Sequence, residues 1–187
     1  MSGSHIILYG GSFNPPHFSH LLFVAALGAC YPEVEIWVAP TYAHAFGKSL
    51  MDYELRVQML EAMFAPYRNV VVSTIERDMH RETSYTVEVV REILVQRPGV
   101  RVSVAVGADI VPTLPQWREY DALCEIADFI VFPREGYDNT GTVPMPILPG
   151  LSSSEIRAMM AENKDDPRLR AMIPPSALAI LRGEIGG

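Results

Sequence analysis

His5-Ile-Ile-Leu-Tyr9 runs directly into Gly10-Gly-Ser-Phe-Asn-Pro-Pro-His-Phe-Ser-His20, and this stretch decides the fold. The first five residues form a short β-rich apolar run bounded by a Gly/Pro cluster, which predicts a buried strand. Gly10 and Gly11 let the backbone approach a ligand closely or take positive φ. Pro15 and Pro16 fix φ and suit the entry to a helix. His17 and His20 then stand three apart in the first helical turn, where side chains share one face. Free amides at a helix start favour negative charge, and two imidazoles beside them make an anion site. Two plainer readings stay open here. One is a Gly/Pro turn carrying surface histidines; the other is a zinc pair, for which no third ligand stands out nearby.

Outward from this stretch, strands alternate with helical patterns to the end of the chain. Strands are predicted at Val34–Ala39, Val70–Ser73, Val100–Val106 and Phe129–Phe132. Helices are predicted at Leu21–Ala29 (largely buried), Tyr53–Phe64, Thr86–Gln96, Ser152–Ala161 and Pro175–Leu181. Residues 134–149, rich in Gly, Pro, Asn and Thr, read as a surface loop around a short strand near 146–148. This pattern predicts an α/β fold, a Rossmann-like doubly wound parallel sheet with helices on both faces. One domain covers 1–187, because no repeat, low-complexity tract or linker divides it. Ligands in such sheets lie beyond the carboxyl ends of the strands, where strand order switches.

Bulk properties narrow the function. The 187 residues are 49% apolar and 20% charged, as in an ordinary globular enzyme. A net charge of −7 argues against a general polyanion binder, so nucleic acid is not an expected partner. No apolar run is long enough to cross a bilayer and the N-terminus has no secretory pattern. Cys30 and Cys124 lie far apart, which suits a reducing cytoplasm. A homo-oligomer stays open.

A second anion element is Leu151-Ser-Ser-Ser-Glu-Ile-Arg157, after Pro149-Gly150. Ser152 with Glu155 three later reads as a capping box. Ser153 and Ser154 lie four and three residues before Arg157, so hydroxyls and a guanidinium can converge on one anion. Between the two elements, Gly107-Ala-Asp109 follows a strand, where a carboxylate can face a ribose or simply cap a helix. Thr83-Ser-Tyr-Thr86 opens a helix, and Trp117 stands outside any apolar period, whereas Trp37 lies in a strand and reads as core. Gly47-Lys48-Ser49 is half of a P-loop, but Tyr42 occupies the position of its first Gly. A dinucleotide Gly-x-Gly-x-x-Gly is also missing from the first loop.

These segments resemble the nucleotidyltransferase superfamily, and within it the nicotinate mononucleotide adenylyltransferases. The first loop is similar to Gly-x-Phe-Asp/Asn-Pro-x-His-x-Gly-His, with Ser19 in place of the usual Gly, and the second element to Ile-Ser-Ser-Thr-x-Ile-Arg. The resemblance runs over roughly residues 5 to 182. It implies adenylyl transfer from ATP to nicotinate mononucleotide with release of pyrophosphate, Mg²⁺ travelling with ATP. It further implies that Gly10, Gly11, Ser12, Phe13, His17, His20, Gly107, Asp109, Ser153, Ser154 and Arg157 surround ATP. His17, His20 and Arg157 would be catalytic, with the helices from about 152 completing the ATP site. Asn14, His44, Lys48, Tyr85, Thr86 and Trp117 would hold the mononucleotide, Trp117 by stacking on its ring. Alternatives are adenylyl or cytidylyl transfer to nicotinamide mononucleotide, phosphopantetheine or another phosphorylated acceptor, a non-catalytic nucleotide sensor, and a synthetase fragment. The last would lack room for a tRNA-reading module.

Overall fold

The computed structural model describes residues 4–42, 50–145, 147 and 150–184. Five strands, β1 (His5–Gly11), β2 (Glu35–Pro40), β3 (Val70–Val72), β4 (Arg101–Gly107) and β5 (Asp128–Phe132), form one sheet. Their order is β3-β2-β1-β4-β5 and every pairing is parallel. The order reverses between β1 and β4, so the crevice of this fold opens where those two neighbours end. The first loop follows β1 and Gly107-Ala-Asp109 follows β4, which brings both sequence elements to that crevice.

Alternation along the strands builds two apolar layers. Ile6 and Leu8 of β1 join Trp37 of β2 and Val102 and Val104 of β4 under α4 (Thr86–Gln96) and α5 (Tyr120–Ile126). Ile7 and Tyr9 join Ile36, Val38 and Ala105 under α1 (Phe18–Cys30) and α2 (Tyr53–Phe64). A third cluster packs Met59 of α2 against Ile156 of α6 (Ser153–Glu162), Leu169 of α7 (Leu169–Met172) and Leu178 of α8 (Pro175–Leu181). The closing helices therefore lean on α2 rather than on the sheet.

Several boundaries move for physical reasons. β1 continues through Gly10 and Gly11 because they pair with Ala39 and Pro40. Val34 belongs to a turn, its N–H bonded to the Tyr31 carbonyl, and Val100 likewise to Arg97. α1 starts at Phe18 with His17 as its cap, and it buries only Ser19, Phe23, Val24 and Leu27. Leu22 is 41% exposed, so α1 is apolar all round but covered on one face. Four elements have no counterpart in the periodicity reading: α3 (Ile75–Asp78), α5, α7 and a 3-10 helix at Val111–Gln116. α3 and α7 are four residues long, too short to show a period, and the 3-10 helix carries Pro112 and Pro115. The strand expected near 146–148 falls mostly outside the described residues.

Arg56 is the largest side chain that is fully buried, at 1% exposure, although it lies on an otherwise apolar helix face. Its guanidinium donates to the carbonyls of Met51 (3.1 Å), Ser12 (2.9 Å) and Thr41 (3.0 Å). Three chain segments thus meet on one cation, whose face also lies 5.3 Å from the Tyr53 ring centre. Replacing it orphans three carbonyls, each costing about 1–3 kcal/mol when buried. Arg56→Met is expected to lower the unfolding free energy by at least about 3 kcal/mol in urea denaturation. A variant within about 0.5 kcal/mol of the parent, the scale of a neutral surface change, would show that the carbonyls find other donors.

Candidate active site

The first loop is held through its own carbonyl oxygens. Arg56 takes Ser12, the Arg157 guanidinium takes Asn14 at 2.7 Å, and the Ser153 hydroxyl donates to Pro15 at 2.9 Å. The Asn14 side chain, 3% exposed, accepts the Met51 N–H at 2.9 Å. The Asn14–Pro15 peptide bond is cis, and Phe13 has φ of 42°. The Phe13 ring is buried and meets Tyr9 and His20 edge-on, at centroid distances of 5.4 and 4.9 Å. A methyl group at Gly11 would lie 3.2 Å from that ring, whereas one at Gly10 would project into open space. A side chain at Gly11 would press on the Phe13 ring, whereas Gly10 leaves room for something outside the chain.

His17 caps α1 and its N–H donates to His20 Nδ1 at 3.1 Å. That bond makes Nδ1 an acceptor and leaves the proton of neutral His20 on Nε2, a donor. The two rings stack at 3.7 Å. Burial brings the His17 pKa down to about 4, with Arg134 adding to the effect. Burial, then His17, then Arg134 hold His20 well below the ordinary imidazole value. Both rings are neutral at pH 7 and act through N–H groups, not as standing cations.

The second element meets the first. Ser152 caps α6, its hydroxyl accepting the Ser154 N–H at 3.2 Å, one residue earlier than a reciprocal box with Glu155 expects. Arg157 joins the Ser154 hydroxyl at 3.0 Å to the Asn14 carbonyl, linking the two elements across 143 residues of chain. Asp109, after β4, pairs with Arg134 at 3.2 Å. A Cβ at Gly107 would run into the Asp109 carboxylate and stand 2.9 Å from Arg134 Nε, so that glycine makes way for the ion pair. Arg134 has no motif of its own and was not singled out from sequence; its field reaches Tyr9, His17 and His20.

Beyond the loop, a cavity of about 320 Å³ is bounded by Gly10, Gly11, Ser12, Glu76, Thr86 and Trp117. A second, of about 520 Å³, lies between Tyr85, Thr86, Trp117 and Arg118. The two share Ser84, Thr86 and Trp117. Tyr85 is the cap of α4 without a side-chain capping bond, so Thr86 is the first helical residue. Trp117 ends the 3-10 helix, packs its partly buried ring near Phe129 at 6.4 Å, and faces both cavities. Trp37 is core, 6% exposed, with its indole N–H on Glu35 at 2.7 Å. His44 and Lys48 lie outside the described residues.

Glu76 was also missed: it sits in a four-residue helix and belongs to no motif quoted above. It is 7% exposed, and its Oε2 accepts the Tyr42 N–H at 3.1 Å. Burial pushes its pKa up to about 7, against the pull of the Tyr42 N–H, the Ser84 hydroxyl and Arg56. Its folded pKa exceeds the ordinary 4.5, so its contribution to stability is complete below pH 4.5 and fades as pH rises through about 7. For His17 the sign reverses: the contribution is present above 6.5 and is lost as pH falls toward about 4. Between pH 4.5 and 6.5 the slopes oppose each other, His20 adding to the His17 side. Glu76→Gln is therefore expected to gain stability with pH more steeply than the parent across that window, as read by urea titrations. Parallel curves would mean that Glu76 titrates as it does in the unfolded chain.

Over residues 8–159 the chain matches the cytidylyltransferase-like family. It is 33% identical over 185 residues to a protein of Anaeromyxobacter dehalogenans (strain 2CP-C) named "Probable nicotinate-nucleotide adenylyltransferase", with 97% of this chain and 96% of the relative covered. A protein of the same name from Myxococcus xanthus (strain DK1622) is 32% identical over 178 residues, covering 95% and 91%. The fold matches that of Plasmodium falciparum nicotinic acid mononucleotide adenylyltransferase complexed with NaAD, with a TM-score of 0.80, 20% identity, and 97% and 96% of the two chains covered. With the family match spanning most of its length and relatives above 30% identity aligned almost end to end, the chain belongs to the cytidylyltransferase-like family, among its nicotinate-nucleotide adenylyltransferases.

Proposed function

We propose that the chain joins ATP to nicotinate mononucleotide, forming the deamido dinucleotide of NAD biosynthesis and releasing pyrophosphate. The observation that carries the residue assignments is the junction at the end of β1. Arg56, Ser153 and Arg157 hold the loop carbonyls there, and the stacked His17 and His20 follow directly. ATP lies along this junction. Gly10, Gly11, Ser12 and Phe13 form its floor, Gly107 and Asp109 its adenylate side, and Ser153, Ser154 and Arg157 its far-phosphate end. Asn14, Tyr85, Thr86 and Trp117 serve the mononucleotide, with His44 and Lys48 assigned to its phosphate. The chain works as a single domain whose helices after 152 complete the ATP site, and it acts in the cytoplasm on small molecules. Among the described residues no helix is long and apolar enough to cross a membrane.

In the reaction, an oxygen of the mononucleotide phosphate bonds to the α-phosphorus of ATP as the bond to the β-phosphate bridging oxygen breaks. The electron pair leaves with pyrophosphate. The attacking phosphate is already ionised, so no side chain has to remove a proton. The chain supplies alignment and hydrogen bonds to the oxygens that gain charge. The Nε2–H of His20 and the ring of His17 serve that purpose, with Arg157 at the departing end; its five N–H donors exceed the two bonds it makes among the described residues. Mg²⁺, when bound, neutralises phosphate charge. The described residues contain no group of three or more His, Cys, Asp or Glu able to cage it, and an ion carried on phosphate oxygens and water needs none.

His20→Ala is expected to lower kcat by at least ~100-fold, the scale of losing one transition-state donor, in a pyrophosphate-release assay with a folded variant. Near-parental turnover would remove the histidine from the chemistry. Trp117→Ala is expected to weaken nicotinate mononucleotide binding by about tenfold while ATP affinity changes little, measured by calorimetry. Equal losses for both ligands would assign Trp117 to packing alone.

A further inference from the structure

A cleft of about 290 Å³ lies where α7 and α8 meet. It shares no bounding residue with the two cavities of the candidate active site. Ile173, Pro175 and Leu178 give it an apolar side, while Arg170, Arg182 and Glu184 supply its charges. Two guanidiniums thus stand against one carboxylate, in a chain whose net charge is −7. Neither is well matched. Arg170, the second residue of α7, is exposed and makes no ion pair or side-chain hydrogen bond among the described residues. Arg182 closes α8, and its side chain is only 19% exposed. The carboxylate it faces, Glu184, stands 3.8 Å away and is itself 59% exposed. Its Nε is buried without a hydrogen-bond partner. A guanidinium drawn this far out of water ordinarily has a hydrogen-bonded acid to answer its charge. Among the described residues that acid is missing, and the cleft lies beside it.

We propose that this cleft is a second anion site, separate from the candidate active site, and that it takes inorganic phosphate or a small phosphomonoester. The two donor forks decide the class. A carboxylate presents two oxygens in one plane and is filled by a single bidentate guanidinium, which leaves the other arginine unanswered. A phosphate carries up to about two negative charges at neutral pH and three acceptor oxygens even when esterified. It accepts from Arg170 on one side and from Arg182 on the other, and Glu184 offsets part of the remaining charge. The apolar side of the cleft receives the uncharged remainder of an ester. Ile173 and Leu178 also belong to the apolar cluster that includes Met59 of α2, so a phosphate bridging α7 and α8 holds both helices against α2.

Calorimetric titrations of the full chain with inorganic phosphate, glycerol phosphate and acetate, at matched ionic strength, test the site. They are run on the parent, Arg170→Gln, Arg182→Gln and Arg182→Lys. Phosphate affinity is expected to fall by about tenfold in each glutamine variant, the scale of one charge-assisted contact. Arg182→Lys should keep part of it, because the charge returns without the fork. Acetate should bind at least about tenfold more weakly than phosphate, since one fork satisfies it. Tighter binding of glycerol phosphate identifies an ester as the ligand, and tighter binding of inorganic phosphate identifies the free ion. Unchanged phosphate binding in Arg170→Gln, whose exposed side chain does not hold the fold, overturns the site even where Arg182→Gln fails to fold. A parent that binds no phosphate also overturns it, and acetate matching phosphate overturns the choice of ligand.

Discussion

The loop after β1 keeps its own carbonyl oxygens occupied by donors from distant helices, and this constraint organises the molecule. Ser12, Asn14 and Pro15 each present a carbonyl that would repel an anion, and each is taken by a donor from a helix: Arg56 of α2, Arg157 of α6 and Ser153 of α6. The donors come from distant parts of the chain, so the loop acquires its shape only when the sheet, α2 and the closing helices have assembled. The third apolar cluster gains its purpose here. By packing α6 and α8 on α2, it sets the two arginines that grip the loop at a fixed separation. Side chains of that cluster, remote from the loop, thus govern where the imidazoles stand.

Electrostatics at the junction are local and opposed to the chain as a whole. A net charge of −7 gives no general attraction for a triphosphate, yet Arg56, Arg134 and Arg157 all converge near the end of β1. Burial keeps His17 and His20 neutral in the free protein, and stacking makes double protonation costly. A neutral ring with a defined tautomer, as in His20, offers a directed N–H donor without holding a competing counter-ion. In the proposed reaction, an arriving phosphate would raise the proton affinity of both rings, so the strongest interaction would develop with the ligand present. Glu76, which lines the smaller cavity, follows the same logic with the other sign: burial disfavours its charge.

The fold was legible because its signals are local. Apolar runs such as Ile6–Leu8 and Val102–Val106 read as strands, and the parallel sheet follows from their alternation with helices. The two segments that meet at the end of β1 were legible for the same reason, Gly, Pro, His and Ser being packed into short stretches. Elements of four residues could not announce a period, which hid α3 and with it Glu76. Arg56 was concealed inside a helix whose apolar pattern was read correctly; a cation among Tyr53, Val57 and Leu60 was the available signal. Arg134 depends on a long-range pairing with Asp109 that no local pattern contains. The capping box at Ser152 shows the limit of spacing rules: the residues match, but the hydroxyl turns to Ser154 instead.

The crevice divides into ends of different construction. The end nearest the first loop is built from backbone and from side chains locked by hydrogen bonds at β1, α1 and α6, where displacing one partner disturbs the others. The ring end is built on the 3-10 helix, α4 and α5, through exposed or half-buried groups such as Trp117 and Arg118 held by ring contacts. In the proposed reaction, a change of acceptor at this second end would leave the hydrogen-bonded first loop undisturbed. On that proposal, what distinguishes one acceptor from another would lie in the few residues around Trp117, where packing constrains the chain least.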